Sequence, residues 1–226
     1  MTDIKLYMAP GTCARVPSIL LEEVGVDFET QVVRFMKGEH KAPAYKKLNP
    51  KGKVPTLIID GEILTENVAI ITYLNDLFPD AELMPHNSRP LEQAQQLADL
   101  CFCSSTLHPI VTRIRMPHFF AAKEAARSVW ELGCKAMDEY FELISRRLTE
   151  GPWWYGEQWS AMDAYLFWVF SRVEGAEYPV DSFVGYKDHH VRMLERPAVQ
   201  KALAREAEAQ AELEAEGLAF IPPKFI

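Results

Sequence analysis

The sequence predicts an α/β half followed by an all-helical half. Three observations carry this reading. Strand-like and helix-like runs alternate through the first part of the chain in the order β-α-β-α-β-β-α. Pro79, Pro85 and Pro90 then break the pattern. Beyond Leu91 only helical periodicity recurs. The expected division is a first domain at 1–79, a linker at 80–89 and a helical domain at 90–226.

The elements follow in order. Residues 4–8 read as a strand, and Pro10-Gly11 as a turn. Ile19, Leu20, Leu21 and Val24 then repeat at helical spacing, with Gly25 as the stop. Residues 28–35 alternate as a second strand, and a strand–helix–strand run makes the two strands parallel. A weak helix lies between His40 and Leu48, and Asn49-Pro50-Lys51-Gly52 is a turn. Residues 54–59 form a strand, Asp60-Gly61 a two-residue hairpin turn, and 62–64 the return strand. Thr65-Glu66-Asn67 opens a helix with Thr65 as the expected N-cap. Together these elements describe an α/β sandwich of thioredoxin type.

In the second half, 91–115 reads as a long helix disturbed at His108-Pro109. A second helix covers 121–148, and Trp153-Trp154-Tyr155-Gly156 forms an aromatic loop. Ser160-Ala161-Met162-Asp163 is a capping box that starts a helix apolar on nearly every face, hence a central one. Residues 183–195 and 198–216 complete the bundle. The apolar tail 218–226 is expected to fold back on the body.

Composition excludes several function classes. The 226 residues are 48% hydrophobic and 25% charged, as in ordinary globular proteins. A net charge of −8 without a basic run argues against a nucleic-acid partner. No apolar run reaches membrane-spanning length, and the N-terminus lacks the pattern of a signal peptide. Cys13, Cys101, Cys103 and Cys134 show no metal-ligand spacing, so no metal is expected and reduced cytoplasmic thiols are.

Three places carry chemistry. Cys13 falls at or near a helix start, where free N–H groups and the positive end of the dipole favour a thiolate. A small buried core cysteine is the alternative there. Val54-Pro55 opens a strand with a residue that cannot donate to a ladder. A trans bond at a sheet edge is the ordinary reading, whereas a cis bond presents the Val54 backbone to an extended peptide ligand. The N–H groups of Glu66 and Asn67 leave a helix start open to a carboxylate, or else form a simple cap.

Taken together, residues 7–13, Gly38-Glu39-His40-Lys41, 48–55, 64–70 and Glu195-Arg196-Pro197-Ala198-Val199 resemble the cytosolic glutathione S-transferase family, nearest its bacterial beta class. The resemblance runs over nearly the whole chain. It implies a thioredoxin-like N-terminal domain, an all-α C-terminal domain, a homodimer and a cis Val54-Pro55 bond. It further implies that glutathione binds through Val54, Pro55, Glu66 and Asn67. Among Lys37, Lys41 and Lys53, Lys37 and Lys53 are the expected partners of its glycyl carboxylate. Cys13 becomes the reactive thiol and His108 its neighbour. Tyr7, Met8, Met116, Trp168 and Arg172 are expected to line the pocket of a small hydrophobic electrophile. Ser160 and Asp163 are structural.

Cys101 stands where the class usually has asparagine, and Met8 where it has tyrosine. A tryptophan common near position 172 is absent, and Arg172 there favours an anionic substrate. The implied reaction is transfer of the glutathione thiolate to an electrophile, or its exchange with a disulfide or peroxide through Cys13. The alternatives are a non-catalytic binding protein on the same fold and a zeta-like glutathione-dependent isomerase or dehalogenase.

Overall fold

A computed structural model describes residues 2–221. The chain forms two compact units, one from 2–83 with Glu195–Ile221 and the other Met84–Leu194. The last helix, grouped with the helical half on sequence grounds, is built into the first unit.

In the first unit a four-stranded sheet runs in the order β2-β1-β3-β4. Strand β1 (Ile4–Met8) pairs in parallel with β2 (Glu29–Val32) and antiparallel with β3 (Thr56–Ile59). Strand β3 pairs antiparallel with β4 (Glu62–Thr65) through the expected Asp60-Gly61 turn. Ile4, Leu6 and Met8 alternate inward, so β1 lies at the core. Helix α1 (Arg15–Val24) ends on Gly25 in the left-handed conformation, φ 74°. Helix α2 (Pro43–Leu48) is short, and α3 (Asn67–Leu77) follows β4 directly. This is the thioredoxin-like arrangement expected.

Three expectations change at the element level. Strand β2 stops at Val32 instead of running to 35, because Phe35–Lys37 closes a 3₁₀ turn ended by Gly38 at φ 75°. Thr65 does not cap α3: it belongs to β4, and Glu66 takes the N-cap position at φ 77°. Strand β3 begins only after the cis Val54-Pro55 bond.

The second unit is almost wholly helical: α4 (Pro90–Cys101), α5 (His108–Arg115), α6 (Ala126–Arg147), α7 (Ala161–Glu174) and α8 (Val184–Glu195). The expected long helix 91–115 is broken by a π-helical segment, Phe102–Leu107. The break precedes Pro109 because a proline ring strikes the carbonyl four residues back, here that of Ser105. A wider turn relieves the clash, and the His108 N–H donates to the Cys103 carbonyl, five residues earlier. The helix expected from 121 starts at Ala126, after a 3₁₀ turn at Lys123–Ala125. Helix α7 is the buried centre of this unit. In its capping box Asp163, fully buried, accepts from the Ser160 N–H (2.9 Å) and hydroxyl (3.0 Å).

Helix α9 (Pro197–Ala215) lies against α1 in the first unit, with Val199, Ala202, Ala209 and Leu213 buried. Of the apolar tail, Ile221 is 83% exposed; the expected packing of 222–226 lies outside the described residues. Among the described residues no helix is long and apolar enough to cross a membrane.

Candidate functional site

Three backbone features of the first unit meet. The first is the loop between β1 and α1. Thr12 closes it, donating from its N–H (3.2 Å) and its hydroxyl (2.6 Å) to the Ala9 carbonyl. Helical dihedrals begin at Ala14, and the Val16 N–H already bonds to the Cys13 carbonyl at 3.2 Å. Cys13 therefore sits two residues before α1, half-buried.

The second feature is the turn that leads to the cis peptide. Asn49, 1% exposed, donates through Nδ2 to the Lys53 carbonyl (2.8 Å) and to Thr56 Oγ1 (3.0 Å). Its Oδ1 accepts the Lys51 N–H at 3.1 Å. Tyr45 adds a hydrogen bond from its hydroxyl to the Lys53 carbonyl at 2.8 Å. Burial raises the pKa of Tyr45, which keeps it a donor. Gly52 at φ 63° is required here, since a Cβ would sit 2.8 Å from the His40 carbonyl oxygen. The turn thus presents Val54 at a fixed height, and the Cys13 thiol donates to the Val54 carbonyl at 3.6 Å.

The third feature is the start of α3. Glu66 is a non-glycine residue at positive φ, a conformation costing about 1–3 kcal/mol that the surroundings must enforce. It holds its exposed carboxylate at the helix N-terminus. Asn67 turns inward instead. It is 5% exposed, and its Nδ2 donates to the Cys13 carbonyl at 3.0 Å. The Asn67 side chain is thereby a brace for the Cys13 loop.

The structure thus joins Cys13, Val54 and Asn67 directly, with Pro55 in the cis bond beside them. Lys37 and Lys53 are exposed on the two flanking loops. Tyr7 lies half-buried, edge-on to Tyr45 at 5.8 Å between ring centres. Met8 is a correction: it is fully buried on the core face of β1, in register with Val32, and so has no exposed surface to offer an electrophile. The alternation of β1 decides this, because Tyr7 and Met8 must face opposite ways.

The expected partners from the helical half lie in the second unit. His108 follows the π segment, which rotates it by about 100° from its place on an unbroken helix. Its Nδ1 is 3.3 Å from the Tyr165 hydroxyl, and its ring centre is 4.5 Å from that of buried Trp168. Met116 ends α5, and Arg172 is half-buried in the last turn of α7.

Two residues escaped sequence reasoning. Lys51 Nζ bonds to Glu66 Oε1 at 2.6 Å and to Thr65 Oγ1 at 2.7 Å. Its place in Asn-Pro-Lys-Gly was visible, but its target was not. Glu206 of α9 clamps the Cys13 loop. Its Oε1 accepts from Arg15 Nε (2.9 Å), and its Oε2 from Arg15 Nη2 (2.8 Å) and the Gly11 N–H (2.9 Å). Arg15 and Glu206 are separated by 191 residues, so no local signal could reveal the pair. At the other end of α9, Glu212 and Glu216 hold Arg34, at the base of the loop that carries Lys37.

Comparison with known proteins places this geometry. Residues 2–76 match the family model "Glutathione S-transferase, N-terminal domain". Glutathione S-transferase GstA of Escherichia coli O157:H7 is 32% identical over 206 residues, which is 90% of this chain and 98% of that protein. The beta class glutathione S-transferase of Sphingomonas chungbukensis is 28% identical, with a TM-score of 0.78 over 89% of this chain and 98% of its own. A sphingomonad glutathione S-transferase solved with glutathione is 28% identical, with a TM-score of 0.77 over 90% and 98%.

Proposed function

The chain belongs to the glutathione S-transferase family, and on that premise we propose how its site binds glutathione and uses it. It is a glutathione transferase that hands the glutathione thiolate to a small hydrophobic electrophile. The same site exchanges glutathione with disulfides through Cys13. One observation carries the second activity: the Cys13 thiol sits against the Val54 carbonyl, where the backbone of an extended thiol peptide would pair. The cysteinyl part of glutathione pairs with Val54 beside cis-Pro55. The γ-glutamyl carboxylate meets the N–H groups at the start of α3, and its ammonium meets Glu66. Lys37 and Lys53 take the glycyl carboxylate.

For conjugation, the glutathione sulfur forms the new bond to carbon and the electrophile's leaving group departs with the electron pair. For exchange, the Cys13 thiolate attacks one sulfur of glutathione disulfide. A Cys13–glutathione disulfide forms and a glutathione thiolate leaves, so electrons balance without a further oxidant. The protein works as a cytoplasmic homodimer. No disulfide joins Cys13, Cys101, Cys103 and Cys134, as suits a reducing compartment. Ile63, Tyr73 and Leu77 of the first unit and Leu91 and Leu97 of the second are large apolar side chains left exposed for a partner subunit.

Intact-mass measurement after incubation with glutathione disulfide tests the reading. Wild type gains one glutathione that reductant removes, and Cys13→Ala gains none at this site. Cys103 is fully buried and burial pushes its thiol well up; Cys134 is pushed up to about 12 by burial and then by Asp138. Exposed Cys101 is therefore the competing thiol, and Cys101→Ser serves as the control. An adduct that survives Cys13→Ala in the Cys101→Ser background would overturn the assignment.

A further inference from the structure

We propose that Lys51 is a ligand-binding residue, holding the α-carboxylate of the γ-glutamyl end of glutathione while Glu66 holds its α-ammonium. This rests on the reading that the start of α3 receives that end. The γ-glutamyl end is an amino-acid zwitterion, with cation and anion on the same carbon. It is best recognised by a matching pair of opposite charges at close range. Lys51 and Glu66 are such a pair, with Nζ and Oε1 2.6 Å apart at the mouth of the helix.

Three further observations support a ligand-reading pair. First, both groups remain 46% and 67% exposed, so each keeps room for a second partner. An ion pair this exposed adds little to folding. Second, both are held by rigid backbone. Lys51 rides on the turn fixed by buried Asn49 and by Gly52, and Glu66 sits at an enforced positive φ. Third, the Asn67 amide is committed to the Cys13 carbonyl. The side chain next to Glu66 is thus turned away from a carboxylate at the helix start, and Lys51 supplies the charge in its place. An overall charge of −8 opposing an anionic tripeptide makes a local cation at this point more consequential.

Calorimetric titration of wild type, Lys51→Met and Lys51→Arg with two ligands tests this. The ligands are glutathione and 4-aminobutyryl-cysteinylglycine, which lacks only the α-carboxylate. Lys51→Met is expected to weaken glutathione binding about tenfold, and Lys51→Arg much less. Against the decarboxylated ligand, wild type and Lys51→Met should bind alike. Equal or tighter glutathione binding by Lys51→Met overturns the proposal and makes Lys51 a competitor for Glu66. An equal loss with both ligands also overturns it, as damage to the turn. If wild type binds neither ligand, the glutathione reading itself falls and the proposal with it. Binding by wild type with an indifferent Lys51→Met removes the proposal alone.

Discussion

Glu206 shows how much a single distant residue contributes to the Cys13 loop. Its side chain and that of Arg15 are 8% and 11% exposed, so the two charges pair largely out of water. Removing one partner of such a buried pair is strongly destabilising, by about 3–5 kcal/mol. Glu206→Met should therefore lower Tm by roughly 6–20 °C and remove the carboxylate that accepts the Gly11 N–H. The double variant Arg15→Met with Glu206→Met should regain much of that loss, since no bare charge then remains. Calorimetry of the two singles and the double decides it; simply additive losses would sink the buried-pair account. Met8 teaches the opposite lesson about single residues. A family position suggested a pocket, while the period-two alternation of β1 had already assigned Met8 to the core.

Among the elements, α7 was the most legible. Its all-round apolar character and its Ser160–Asp163 box gave both its place and its start. What the sequence could not give is the number of strands of chain that Asp163 ties together. Besides Ser160, its carboxylate accepts from the Trp154 N–H at 2.8 Å and stands 3.0 Å from His189 Nε2. Ser160→Ala should cost about 1 kcal/mol, the usual worth of a cap. Asp163→Ala should cost about 3 kcal/mol or more, because it orphans buried donors from a loop and from α8 as well. Denaturant midpoints of the two variants make the comparison; equal losses would reduce Asp163 to a cap. The helix 91–115 was less legible. Pro109 announced a disturbance, but its form depends on tertiary packing that keeps α5 in line after the π turn. Thr65 misled for a related reason: a good capping residue was drawn into β4 by pairing with Thr56.

At the scale of the molecule, residues 2–83 and the stretch Glu195–Ile221 belong to one unit although they lie far apart in sequence. Order and type of elements were readable because periodicity is local. The docking of α9 was not, because its polar, alanine-rich sequence names no partner 190 or so residues away. Yet α9 grips the first unit along its length. Arg196 pairs with Glu23 at 2.8 Å, Arg205 with Glu22 at 2.6 Å, Glu206 with Arg15, and Glu212 and Glu216 with Arg34. Between these contacts its apolar stripe covers α1, whose Val16, Ile19 and Leu20 are fully buried. A chain ended at Glu195 keeps every strand of the sheet and the residues expected to bind glutathione. On this account it should nevertheless lose glutathione binding, since both loops that flank the site lose their anchors. It should also expose the apolar face of α1, bind a hydrophobic dye and fail to unfold cooperatively. Retention of glutathione affinity by the shortened chain, with a single sharp unfolding transition, would show that the first 83 residues fold without α9 and that its ion pairs are incidental.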